Sequence, residues 1–363
     1  MLILIFFSSL QYLFSAVVSI DVNPSIAVVD GRTFTSHTAR LHTADSIATL
    51  GNNIMVIYQD SKNNYWFGSW ETGLYRYDGQ RVQHFTTEDG LAGNRVETIH
   101  EDHKGNLYFN TAGGISQYDG QKFVTLKEAI GTGQEWALQP NDIWFKDPLY
   151  SSGRVCRYDG SRLYCMELPK VKIGEEWIIA KPNTYSPYAV YSLYKDNKGY
   201  MWFGTAALGV CRYNGISFDW ITESDVNELH NGPSNGVRSI VQDADGYFWF
   251  NTEYRYDVKD QPDFRNAFYT REKSIGSLDG IDPSFTEYLS IAMDDQHHLW
   301  MATYGAGVYR YDGKRITHYP VQYDGRDITV FCIYKDNHGV LWLGTHEHGA
   351  FRFNGKVFEQ FYP

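Results

Sequence analysis

One short signature centred on an aromatic residue returns seven times along this 363-residue chain. The copies read YWFGS (65–69), LYFNT (107–111), IWF (143–145), MWFGT (201–205), FWFNT (248–252), LWMAT (299–303) and LWLGT (341–345). Their centres are Trp66, Tyr108, Trp144, Trp202, Trp249, Trp300 and Trp342, with steps of 36 to 58 residues. Repeats of that length build propeller blades, small sheets that cannot bury both faces alone and therefore pack on one another around an axis. The chain is accordingly expected to be all-β: a seven-bladed β-propeller of four-stranded antiparallel blades over residues 51–363. A closed ring uses that length as one domain.

Six residues before the centre stands an aspartate in six copies, Asp60, Asp102, Asp196, Asp243, Asp294 and Asp336, and Leu138 in the third. Three residues after each aspartate comes Gly, Asn63 or His297, which reads as a tight turn between the first two strands. DADG (243–246) is read as such a turn and not as a calcium loop, since no Glu closes a twelve-residue loop. Farther on, LYRYDG (74–79), VCRYDG (155–160), VCRYNG (210–215), VYRYDG (308–313) and AFRFNG (350–355) end a third strand at a hairpin. The recurring Arg76, Arg157, Arg212, Arg310 and Arg352 are read as scaffold, stacking on neighbouring aromatics or pairing locally between blades. Both tight turns fall on one face of the disc. The variable connections, such as GSWETG (68–73), ATYGAG (302–307) and GTHEHG (344–349), share the other, where binding residues concentrate. In blade five, residues 253–266 are expected to be an insertion and AFYTRE (267–272) the third strand. Another excursion, 167–187, separates blades three and four.

A formal net charge of −11 argues against nucleic acid or an anionic membrane as partner. Residues 1–20 carry no charge and resemble a cleaved secretory signal, although they lack a basic start; an uncleaved anchor is the alternative. Within residues 21–50, Val29–Phe34 echoes the start of a fourth strand and is expected to add a strand to the last blade and help close the ring. Cys156 and Cys165 flank a turn and would face each other across a hairpin, a geometry compatible with a bridge. Cys211 and Cys332 read as buried thiols.

Together, the pattern I-x-x-D-x-x-G-x-(L/M)-W-(F/L)-G-T followed by G-(V/L)-x-R-Y-D-G resembles the two-component regulator propeller repeat. The resemblance runs from about Ile54 to Phe361. It implies the periplasmic sensing half of a bacterial hybrid histidine kinase, often reading glycan fragments. No kinase or DNA-binding region precedes Pro363, so a stand-alone propeller is expected, with a separate membrane signalling protein as a possible partner. The shared motif is structural and carries over no catalytic residue.

Candidate chemistry gathers on the variable face. His346 and His348 flank Glu347, and alternate residues of an extended segment point the same way, so the two imidazoles could hold one divalent metal. Ring closure would add Trp70 and Glu71 from blade one, making a three-ligand open site of His346, His348 and Glu71. At the channel mouth, the seventh residue back from each turn position gives Asn53, Arg95, Gly131, Ala189, Gly236, Glu287 and Thr329. There Arg95 could pair with a carboxylate or sulfate, and Glu287 with a hydroxyl or amine. Trp70, Tyr304 and the 254–264 region offer aromatic faces for sugar rings. No nucleophile elbow, P-loop or dinucleotide fingerprint is present. The sequence thus predicts a secreted or periplasmic, non-catalytic binding propeller without cofactor, taking an oligosaccharide or a partner protein. A metal-assisted lyase or hydrolase and a protein–protein scaffold are the alternatives.

Overall fold

The computed structural model describes residues 26–29, 32–35, 45–47, 49–131, 136–147, 153–182, 184–222, 236–251, 254–260, 268–273 and 288–363. The signal-like segment 1–20 and Glu287 lie outside them. Residues up to Thr43 form a separate unit containing one hairpin, Ile26–Val29 paired with Arg32–Thr35. The second unit, Ala44–Pro363, is a seven-bladed propeller of antiparallel sheets.

Each signature forms the second strand of its blade. In blades two, four, six and seven all five of its residues are buried, because this strand is covered on both faces by neighbouring blades. The described core divides into seven apolar clusters, one per blade interface. Trp66 meets Val96 and Phe109 of blade two, and Trp202 meets Phe248 and Phe250 of blade five. Trp342 meets Ile54 and Phe67 of blade one, which closes the ring. Polar contacts reinforce that closure: Tyr65 Oη donates to Asp336 at 2.7 Å and Gln59 N donates to Tyr334 Oη at 3.0 Å.

The small residue of the signature marks the close approach of the next blade. A Cβ on Gly204 would sit 2.3 Å from Val237 O, and one on Gly344 would sit 2.5 Å from Ile54 O. Where Asn replaces Gly, its amide bonds to that backbone instead: Asn110 Nδ2 donates to Lys146 O at 3.0 Å, and Asn251 Nδ2 donates to Tyr288 O.

Each turn aspartate accepts backbone N–H groups on one oxygen and the signature's aromatic donor on the other, an indole as in Asp196 with Trp202 at 2.8 Å, or in blade two the Tyr108 hydroxyl on Asp102 at 2.9 Å. Asp243 does the same, so DADG is a turn. Arg76, Arg212, Arg310 and Arg352 pair across strands with the signature tryptophans and stack on them, Arg76 on Trp66 and Arg352 on Trp342 with guanidinium carbons 5.7 and 5.5 Å from the ring centres, whereas Arg157 forms an ion pair with Asp142 at 2.6 Å.

Four sequence expectations change. The ring closes without an N-terminal strand in blade seven, whose four strands are Val330–Lys335, Leu341–Thr345, Ala350–Phe353 and Phe358–Gln360. An N-terminal strand, Asp45–Ile47, instead extends the outer edge of blade one. In blade five the third strand is Tyr254–Lys259 and the fourth is Phe268–Lys273. Asn251, at the end of the described segment before this strand, takes a left-handed φ of 61°. Arg255 then faces Trp249 as the other arginines do.

Blade three has three strands among the described residues, Ile143–Lys146, Arg154–Tyr158 and Leu163–Glu167. The chain arriving from blade two runs along its outer edge, where Ala129 N donates to Leu163 O at 2.8 Å. Gly131 therefore lies beside Trp136, Tyr164 and Cys165, not at the channel mouth. Cys156 and Cys165 are directly opposed in register and form a disulfide in this blade. The excursion before blade four contains a helix, Lys172–Ala180, pinned by buried Trp177.

Candidate functional site

The loops after the second strands are held by the last residue of the signature. Thr303 and Thr345 donate to Gly307 O and Gly349 O at 2.9 and 2.8 Å and accept from Ala306 N and His348 N. Ser69 accepts from Glu71 N and Thr72 N in blade one. The residue following this anchor occupies an equivalent position in five blades, Trp70, Ala112, Ala206, Tyr304 and His346, of which Trp70 and Tyr304 reach the axial cavity. In four blades its N–H donates to the carbonyl of the counted rim residue, Trp70 to Asn53, Ala112 to Arg95, Ala206 to Ala189 and His346 to Thr329, at 2.8 to 3.2 Å.

Below the rim lies a cavity of about 450 Å³ on the propeller axis. The inner strands deviate in a regular way to line it. In five blades the register shifts at one residue, between Ile54 and Val56, Val96 and Thr98, Val190 and Ser192, Tyr288 and Ser290, and Val330 and Cys332. Such bulges re-aim a side chain, and Met55, Glu97, Tyr191, Leu289 and Phe331 at these positions all line the cavity. Arg238 supplies the equivalent position in blade five, and Lys146 enters from blade three, which lacks a described inner strand.

The cavity is two-sided in its chemistry. Blades six, seven and one contribute Leu289, Phe331 and Met55, overhung by Tyr304 and Trp70. Blades two, three and five contribute Glu97, Lys146 and Arg238. Glu97, buried, accepts from Arg95 Nε at 2.9 Å and lies 3.6 Å from Lys146 Nζ. The Arg95 guanidinium also covers the Trp70 ring at 4.6 Å. Burial pushes the Glu97 carboxyl up and the Lys146 ammonium down, and their mutual attraction opposes both shifts. His100, against Phe145, is held neutral with its pKa lowered to about 4 by burial and by the charge of Lys146. Arg238 stacks on Tyr191 at 4.3 Å and remains open to the cavity.

Of the residues chosen from sequence, Trp70 and Tyr304 line this cavity, and Arg95 covers the Trp70 ring. The proposed metal ligands do not meet at one place. His346 packs edge-on against Phe331 at 5.2 Å, with Nδ1 3.4 Å from Glu347 Oε1. His348 stacks flat on Tyr323 at 4.2 Å, on the hairpin between blades six and seven. Exposed Glu71 sits in its own capped turn, and no metal-holding cluster of three or more His, Cys, Asp or Glu occurs among the described residues. The two rings go to separate partners because residues 346–348 form a bend beyond the strand and not an extended segment. Sequence reasoning missed Glu97, Tyr191, Arg238 and Lys146. The first three stand five residues before a turn aspartate, a count that marks the lining directly; Lys146 carried no such signal.

The two-component regulator propeller description matches residues 50–71, 184–207, 231–254 and 324–347, the opening halves of blades one, four, five and seven. The chain carries two-component regulator propeller repeats. Each matched repeat contains an inner strand, its aspartate turn and the signature, and so builds one sector of the channel wall. Solved structures show the same fold. The extracellular domain of the hybrid two-component system BT4673 from B. thetaiotaomicron is 22% identical with a TM-score of 0.56; the match covers 85% of this chain and 39% of that one. Virginiamycin B lyase from Staphylococcus aureus is 14% identical with a TM-score of 0.59, covering 85% and 98%. YCF48 from Cyanidioschyzon merolae is 13% identical with a TM-score of 0.57, covering 86% and 99%. This chain thus spans about two fifths of the BT4673 domain. No curated protein matches it. No helix among the described residues is long and apolar enough to cross a membrane.

Proposed function

We propose that this propeller is a secreted or periplasmic binding domain of sensor type, which takes an oligosaccharide at the mouth of its axial cavity and performs no chemistry. The observation that carries the reading is the pair of rim aromatics: Trp70 and Tyr304 are 36% and 60% exposed above a cavity of sugar-accommodating size. Large aromatic faces left open on a rigid scaffold suit the apolar faces of pyranose rings. The repeats and the likeness to an extracellular two-component domain support a sensing role, with a separate membrane protein relaying the signal. The Cys156–Cys165 bridge fits an oxidising compartment.

The test is a glycan array followed by a thermal-shift titration of the full chain. A ligand at a hundred times its Kd stabilises by about 2.7 kcal/mol. That shift should be lost on joint Trp70→Ala and Tyr304→Ala substitution. Binding that survives both changes, or is confined to a protein partner, rejects this reading.

A further inference from the structure

The two halves of the cavity wall specify the ligand more narrowly. We infer that the cavity selects a saccharide bearing an anionic substituent, its ring stacked under Trp70 and Tyr304 and its carboxylate or sulfate directed to Arg238 and Lys146. This rests on the binding role proposed above and adds a charge requirement to it.

Three observations converge. The chain as a whole is acidic, with a formal charge of −11, yet the described charged groups lining the cavity are two cations, Lys146 and Arg238, and one carboxylate, with Arg95 paired to that carboxylate beside it. That carboxylate, Glu97, is already engaged by Arg95 and Lys146. Arg238 faces the cavity with a tyrosine ring behind it, and no described carboxylate forms an ion pair with it. Arg238 repels the Lys146 ammonium, a repulsion that Glu97 offsets at Lys146 but that no described carboxylate answers at Arg238. An anion bridging them relieves that repulsion, and a guanidinium presents the planar fork that carboxylate and sulfate fit. The apolar wall of Leu289, Phe331 and Met55 lies on the aromatic side. A ligand with one apolar face and one charged edge matches both walls at once.

The experiment titrates the full chain at low ionic strength with galacturonic acid trimer, a sulfated disaccharide and neutral galactose trimer. The acidic probes should bind at least about tenfold more tightly than the neutral one, and added salt should erode the gap. Arg238→Gln should bring the probes within about twofold, while Arg238→Lys keeps part of the preference. An unchanged melting temperature of the unliganded variants excludes misfolding. Equal affinity of acidic and neutral probes overturns the charge requirement and leaves the binding role standing. A preference that survives Arg238→Gln overturns it as well. No response to any probe overturns the inference, whereas the binding role then depends on the array.

Discussion

The indole Nε1 of Trp342 donates a 2.9 Å hydrogen bond to the carboxylate of Asp336, six residues earlier. The same pair recurs as Trp66 with Asp60, Trp202 with Asp196, Trp249 with Asp243 and Trp300 with Asp294. Blade three, with Leu138 in that place, leaves the buried Trp144 Nε1 without a described partner. Asp336→Ala removes the acceptor for that indole, for Tyr65 Oη and for two backbone N–H groups. Unsatisfied buried donors cost about 1–3 kcal/mol each, so we expect a loss of about 3 kcal/mol in urea unfolding. A loss below about 1 kcal/mol would contradict this account.

Ring closure depends on the close approach of Gly344 to the Ile54 carbonyl. Gly344→Val should overpack the interface of blades seven and one and cost about 2–3 kcal/mol or more. The matched change at Gly79, whose Cβ direction is open, introduces only positive-φ strain and should cost about 1 kcal/mol. Chemical denaturation of both variants checks the ordering.

The Cys156–Cys165 bridge closes a short loop, with a sequence separation of 9. It staples the two outer strands of the blade that has only three described strands. Chain-entropy arguments give such a loop about 2–3 kcal/mol. Melting under reducing and non-reducing conditions should differ accordingly, and the double Cys→Ser variant should no longer respond to reductant.

Trp70 and Trp342 should separate binding from folding. Trp70→Ala should leave stability within about 0.5 kcal/mol and weaken saccharide binding about three- to tenfold, the worth of one aromatic contact. Trp342→Ala should destabilise by about 3–5 kcal/mol. Chelator treatment and His348→Ala should leave both readouts nearly unchanged; a chelator-sensitive melting temperature would revive a metal site.

Acid should unfold the protein in two stages. His100 has a folded pKa of about 4 against an ordinary value of 6.5, so its contribution is complete above pH 6.5 and is lost as pH falls towards 4. Asp336, Asp294 and Asp102 sit below the usual carboxylate value: burial pushes them up, and the hydrogen bonds they accept outweigh it. Their contributions are present above about pH 4 and disappear below it. Glu97, raised by burial, works in the opposite sense, so the diagnostic is a difference. Melting temperature against pH should be flatter for His100→Gln than for wild type between pH 6.5 and 4, by about 2 kcal/mol, and parallel to it below.

How far the residues spoke for themselves follows from the range of the forces involved. The seven signatures, the Asp–Trp spacing and the R-Y-D-G hairpins act within a few residues, and so the propeller, its turns and its variable face were readable directly. Rim positions counted back from the aspartates, and the choice of Trp70, Arg95 and Tyr304, rested on the same local register. The identity of the cavity wall did not. Bulges at Met55, Glu97, Tyr191, Leu289 and Phe331 shift alternation by one residue, and a shift of one exchanges the faces of a strand. Where His346 and His348 point depended on Phe331 and Tyr323, which lie in other elements. Lys146 reaches the channel from the end of the signature strand of blade three, where no local pattern marks it. Short-range hydrogen bonding wrote the blades; packing between them decided which side chains face the axis.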